Sequence, residues 1–118
     1  MTQMTALECV ELQFAAYNAR DLPRFLSAFA EDVCSFRLPE MEPVLIGKPA
    51  YAAFYAEKRF VYEGLKAELL NRIVLGNTVI DHELIHGIGA EPIETAIMFV
   101  VENGLISRVF AIPPKTPS

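Results

Sequence analysis

Apolar residues along this chain keep two different periods, and the change falls near residue 65. Before it, Leu7, Val10, Phe14 and Tyr17 recur at three- and four-residue spacing, the single stripe of an amphipathic helix. Thr5-Ala6-Leu7-Glu8 ahead of that stripe has the form of a capping box, which satisfies free N–H groups at a helix start. Asn18-Ala19-Arg20 interrupts the pattern. Asp21 is placed to cap a second helix, with Pro23 in its first turn and Phe25, Leu26 and Phe29 as its buried face. Val33 to Leu38 predicts a strand, and Pro39 with Pro43 marks an irregular link. Gly47-Lys48-Pro49 opens a third helix carrying Tyr51, Phe54, Tyr55 and, at its end, Phe60. After residue 65 the spacing becomes that of strands, in four runs: Leu65 to Leu75, Val79 to His86, Thr95 to Val101 and Leu105 to Ile112. Gly76-Asn77 and Asn103-Gly104 are turn signals between them, the second a strong hairpin cue. Gly87 to Pro92 reads as a looser connection, and residues 113–118 as a frayed tail.

Helices and one strand followed by a meander is an α+β order rather than a βαβ alternation. The expectation is one domain over residues 1–118, with three N-terminal helices covering one face of a curved, mostly antiparallel sheet. The 118 residues are 53% hydrophobic, which suits a packed core and not a disordered chain. No run approaches the ~18–20 apolar residues of a membrane span. Met1-Thr2-Gln3-Met4-Thr5 lacks the basic and apolar segments of an export signal, so a cytoplasmic location is expected and no membrane partner. Cys9 and Cys34 form no CxxC pair and read as buried thiols. A formal net charge of -5 and scattered basic residues argue against nucleic acid as a partner.

Three stretches carry a resemblance. They are Tyr17-Asn18-Ala19-Arg20-Asp21-Leu22 with Phe29-Ala30-Glu31-Asp32-Val33, then Gly47-Lys48-Pro49-Ala50 through Phe54-Tyr55, then Val101-Glu102-Asn103-Gly104-Leu105-Ile106. In this order they resemble the nuclear transport factor 2-like superfamily, which includes SnoaL-like and ketosteroid-isomerase-like proteins. The resemblance implies a cone of sheet and helices with an internal pocket. It does not imply one activity, because the superfamily holds isomerases, dehydratases, cyclases, epoxide hydrolases and binders.

Laid on this chain, the known catalytic sets of the family are missing. Ketosteroid isomerase uses an Asp base, and a Tyr with a neutral Asp as oxyanion donors, a pattern that is itself a standard example of pKa tuning. The matching positions are Arg37 or Leu38 for the base, Gln13 for the Tyr and the neighbourhood of Ile97 for the neutral Asp. An Arg stays protonated and a Leu has no proton to give, so neither replaces the base. Tyr55 corresponds to the family's second hydroxyl. The epoxide hydrolase set would fall on Leu84, His86 and Ala111, and is also absent.

The densest polar cluster is Asp81-His82-Glu83, followed by His86. On a strand, His82 and His86 share one face with Ile80 and Leu84, while Asp81 and Glu83 share the other with Val79 and Ile85. The two histidines lie roughly 13 Å apart along a strand, too far to share one ion, so no metal and no cofactor is implied. Imidazole titrates near neutrality. His82 or His86 is therefore the expected acid/base, facing the helix-covered side, with Tyr55 as hydrogen-bond donor. Asp81 and Glu83 are expected on the convex side, satisfied by water or by Arg72 and Arg108, because buried carboxylates are costly. They are the alternative acid/base pair if the register is reversed. Gln13, Tyr17, Arg37, Phe54, Leu84, Ile97 and Phe99 are the expected ligand contacts. Phe14, Phe25, Phe29, Phe60 and Phe110 are read as core or pocket wall, favouring a small apolar or aromatic ligand. The expected function is proton transfer or elimination on such a molecule; the alternative is a non-catalytic binding or dimerisation module. Both faces of Thr95 to Val101 are apolar, which predicts a homodimer through the sheet.

Overall fold

The structure, a computed structural model, describes residues 3–114. Its elements are α1 (Ala6–Asn18), α2 (Leu22–Leu26), β1 (Phe29–Arg37), β2 (Pro43–Ile46), α3 (Lys48–Lys58), β3 (Lys66–Leu75), β4 (Thr78–His86), β5 (Ile93–Glu102) and β6 (Leu105–Ile112). The six strands form one curved, unclosed sheet in the order β2-β1-β6-β5-β4-β3. Every neighbouring pair is antiparallel except β1 with β6. Among the described residues no helix is long and apolar enough to cross a membrane.

Local chemistry accounts for most boundaries. Thr5 and Glu8 exchange both capping-box hydrogen bonds at the start of α1, and Asp21 accepts from the Arg24 amide at the start of α2. Asn103 and Gly104 both adopt positive φ, 53° and 76°, as a type I′ hairpin turn between β5 and β6 requires. Gly87 is fixed for a different reason: a Cβ there would collide with the backbone of Gly64. Asn18, which ends the apolar stripe of α1, has a structural task. Its side chain accepts from the Ala67 amide and donates to the Ala67 carbonyl, so it stands in for a strand neighbour on the edge of β3.

Two expectations are corrected. The link containing Pro43 forms the short strand β2, with Pro43 at its first position on the sheet edge, where a missing N–H is tolerated. Phe29 belongs to β1 rather than α2, and β1 therefore starts before Val33. Residues 115–118 of the expected frayed tail lie outside the described residues, and Pro113 and Pro114 instead line the cavity described below.

The helices cover the concave face. Cys9, Val10 and Ala16 of α1, Phe25 of α2, and Phe29, Val33, Val79 and Ile106 of the sheet are all sealed from solvent. Phe25 sits 4.9 Å from the Phe29 ring and 4.7 Å from the Tyr55 ring, at the middle of an aromatic cluster. Among the described residues no helix covers the convex face. Ile73, Ile80, Met98, Phe110 and Phe36 are successive cross-strand partners there, giving an apolar row over five strands.

One irregularity positions the chemistry. β3 pairs with β4 in step up to Leu69↔Glu83, then resumes at Asn71↔His82, so Leu70 is an extra residue. This bulge reverses the facing of everything after it on β3. Arg72 is thereby turned to the concave side, opposite Asp81.

Candidate functional site

Between the helices and the concave face lies a cavity of about 390 Å³. That volume suits a small organic molecule. Its wall includes Gln13 and Tyr17 from α1, Arg37 from β1, Phe54 and Tyr55 from α3, Glu83 from β4, and Ile97 and Phe99 from β5. Of the expected ligand contacts, only Leu84 is absent, since it shares the convex face with the histidines.

The expected facing of β4 is reversed. Val79, Asp81, Glu83 and Ile85 are buried on the concave side, and the even-numbered residues from Thr78 to His86 alternate away from it. His82 bonds Glu94 at 2.6 Å and His86 bonds Glu68 at 2.9 Å, both pairs largely open to solvent. Neither histidine reaches the cavity. The cost that was expected to keep carboxylates outside is met for Asp81 by a counter-charge. Arg72 donates to both of its oxygens, at 2.7 and 2.9 Å, with Asp81 fully buried. Arg72 is therefore not the convex-side partner that simple alternation predicts, because the bulge at Leu70 brings it to the other side. Arg108 stays outside, beside Glu102.

Glu83 has no such partner. It is 4% exposed, projects into the cavity, and no group among the described residues hydrogen-bonds it. Burial, then the nearby Asp81 charge, pushes its carboxyl up to about 8, against a smaller downward pull from Arg72. At neutral pH it is mostly a carboxylic acid, able to donate a hydrogen bond. Once ionised it is a far stronger base than an exposed glutamate.

Phenols share the cavity wall with it. Burial holds the Tyr17 and Tyr55 hydroxyls above their ordinary range, and the Glu83 charge adds to this, which places all three groups in one electrostatic neighbourhood. Both phenols therefore stay protonated donors. The Tyr51 hydroxyl stands 3.5 Å from that of Tyr55, one helical turn away. Sequence reasoning named Tyr51 only as a helix residue; its spacing of four from Tyr55 was the available signal. Gln13 is buried and donates from Nε2 to the Val10 carbonyl, which leaves its oxygen as the acceptor.

Arg59 was also missed. It follows α3, lines the cavity, and stacks its guanidinium over the Phe54 ring at 5.0 Å. Its proximity lowers the Tyr17 and Tyr55 hydroxyls slightly against the effect of burial. Phe110 is corrected from pocket wall to convex surface, where it stacks on Phe36 at 4.9 Å. Among the described residues no three His, Cys, Asp or Glu side chains gather as a metal site would need.

Residues 10–109 match the family model described as the SnoaL-like domain. Solved structures share the architecture. A protein of uncharacterised function with a cystatin fold, from Novosphingobium aromaticivorans, has a TM-score of 0.82 at 25% identity, covering 92% of this chain and 98% of that one. A candidate ketosteroid isomerase from Kribbella flavida has a TM-score of 0.81 at 22% identity, covering 96% and 80%. A candidate polyketide cyclase from Pseudomonas putida has a TM-score of 0.68 at 25% identity, covering 92% and 90%. No curated protein matches the chain.

Proposed function

This chain belongs to the SnoaL-like domain family, and we propose that its cavity binds a small apolar or aromatic carbonyl compound and moves a proton on it, with Glu83 as acid/base. The observation that supports this is the carboxyl of Glu83, without a hydrogen-bond partner among the described residues and enclosed on a cavity wall that also carries two protonated phenols. The ionised carboxylate would take a proton from the carbon beside the carbonyl. The C–H electron pair then becomes the C=C of an enolate, whose oxygen accepts from Tyr55 or Tyr17. Returning the proton to another carbon isomerises the substrate; loss of a leaving group instead completes an elimination. Asp81 is spoken for by Arg72, and His82 and His86 face away, so neither takes the role. A Δ5-3-ketosteroid is not the expected substrate, because the positions matched to the isomerase base and neutral Asp carry Arg37 or Leu38, and Ile97.

The test is solvent exchange. Small aryl 1,3-diketones such as benzoylacetone are followed by proton NMR in D2O with and without the protein. Acceleration that falls about a hundredfold or more in Glu83→Gln supports the reading. Ligands that bind without any accelerated exchange leave a binding module and end the catalytic one.

We also propose that the convex face is covered by a second copy of the chain. The row from Ile73 to Phe36 crosses five strands with no helix over it among the described residues, and Ile73 is 47% exposed. Sedimentation at tens of micromolar tests it: a monomer would remove the idea.

A further inference from the structure

The cavity has a charge pattern opposite to that of the protein around it. The chain carries a formal net charge of -5, yet two arginines, Arg37 and Arg59, line this one space. Among the described residues neither lies within ion-pair distance of a carboxylate; the arginines that do are Arg72 and Arg108. The cavity's own carboxyl, Glu83, is mostly protonated at neutral pH and does not cancel them. Asp81, the nearest buried anion, is already neutralised by Arg72.

The arginines and Glu83 also differ in depth. Glu83 is buried, Arg59 half-buried and Arg37 exposed, so the cations stand toward solvent and the acid/base group stands inside. The sheet gives the scale. Arg37, Ala111, Ile97 and Asp81 are successive cross-strand partners on the concave face, and Glu83 lies two residues further along β4. Three strand spacings put roughly 14 Å between the Arg37 and Asp81 backbones along the curved sheet, and two residues of β4 add roughly 7 Å to reach Glu83. The side chains that close this gap from each side leave room for a ring and a short chain. The floor between them, Ile97 and Ala111, is apolar, as is the Phe54 ring beneath the Arg59 guanidinium.

Resting on the reading of Glu83 given above, we infer that the ligand is an amphipathic monocarboxylate: an aryl or alkyl body over Ile97 and Ala111, with its carboxylate at Arg37 and Arg59. The planar fork of an arginine matches a carboxylate in two parallel hydrogen bonds. A wall whose cations, among the described residues, are these two arginines suits one anionic group better than several. The carboxylate supplies orientation, holding the rest of the molecule toward Glu83.

The experiment measures equilibrium binding and needs no turnover. Phenylacetate, 3-phenylpropionate and 4-phenylbutyrate are each titrated beside their primary amides, with binding followed by NMR chemical shifts. The expected result is that at least one acid binds about tenfold or more tightly than its amide. In Arg37→Met/Arg59→Met that ratio should fall to near one, with residual amide binding showing that the cavity is still formed. Should the double variant fail to fold, Arg37→Gln and Arg59→Gln carry the test singly, and at least one must lower the ratio. A wild-type ratio near one overturns the inference, and so does a preference that survives loss of both arginines. Selective acid binding without proton exchange would end the catalytic reading and leave this one standing. Exchange without any acid preference would do the reverse.

Discussion

Asp81 and Glu83 project from the same face of the same strand, two residues apart, and both are buried. One is held by a bidentate arginine beneath α1; the other opens on the cavity with no hydrogen-bond partner among the described residues. The first arrangement is structural: a buried charge kept with its counter-charge. The second leaves a group whose proton is loosely owned near neutral pH. Adjacent carboxylates thus acquire different work from their surroundings, and the surroundings differ by one arginine.

The comparison can be broken most forcefully at the paired end. Arg72→Met leaves Asp81 buried and alone, and should cost about 3–5 kcal/mol in denaturant unfolding, with much of it recovered in Arg72→Met/Asp81→Leu. At the open end Glu83→Gln should act in the other direction, and only where the carboxyl would ionise. The folded value of about 8 lies above the ordinary 4.5, so the wild type is fully stable below about pH 4.5 and loses stability as pH rises through 8. Melting curves should therefore coincide near pH 4 and favour the Gln variant by as much as a few kcal/mol at pH 9. Any exchange activity that uses Glu83 as base should rise toward pH 8 and level off above it. Removal of one phenol, Tyr55→Phe, should leave the fold intact and lower exchange about tenfold by taking away one donor. The smallest effect belongs to the opposite face: His82→Ala and His86→Ala should each change stability by less than about 0.5–1 kcal/mol and leave exchange unaltered, since their partners Glu94 and Glu68 are exposed. A large loss of exchange in either would mean that the two faces of β4 communicate.

The elements were legible from spacing because each announces itself locally. Thr5 with Glu8, Asp21 with Pro23, and Asn103-Gly104 all act within a few residues of themselves. The cavity wall was partly legible too: Tyr17 lies on the apolar stripe of α1, while Gln13 and Tyr55 came from positions matched to the family resemblance. The facing of β4 was not. Its two faces are both half apolar and half ionisable, so alternation alone cannot choose between them. What chooses is Arg72, and its side depends on an unpaired Leu70 that no composition rule marks. Arg59 was hidden differently, as the end of a helix whose role lies in what it stacks upon.

The bulge at Leu70 has a consequence for how the chain avoids pairing wrongly. Strands that merely alternate can slip by two residues and still show the same sides to the core. β3 and β4 have no such freedom, because β3 changes phase partway along and β4 does not. A slip of two toward either end would set Arg72 against Val79 or Glu83 and leave Asp81 without its cation. The single extra residue therefore works as a key cut for one lock, admitting one alignment of the two strands and making its neighbours expensive.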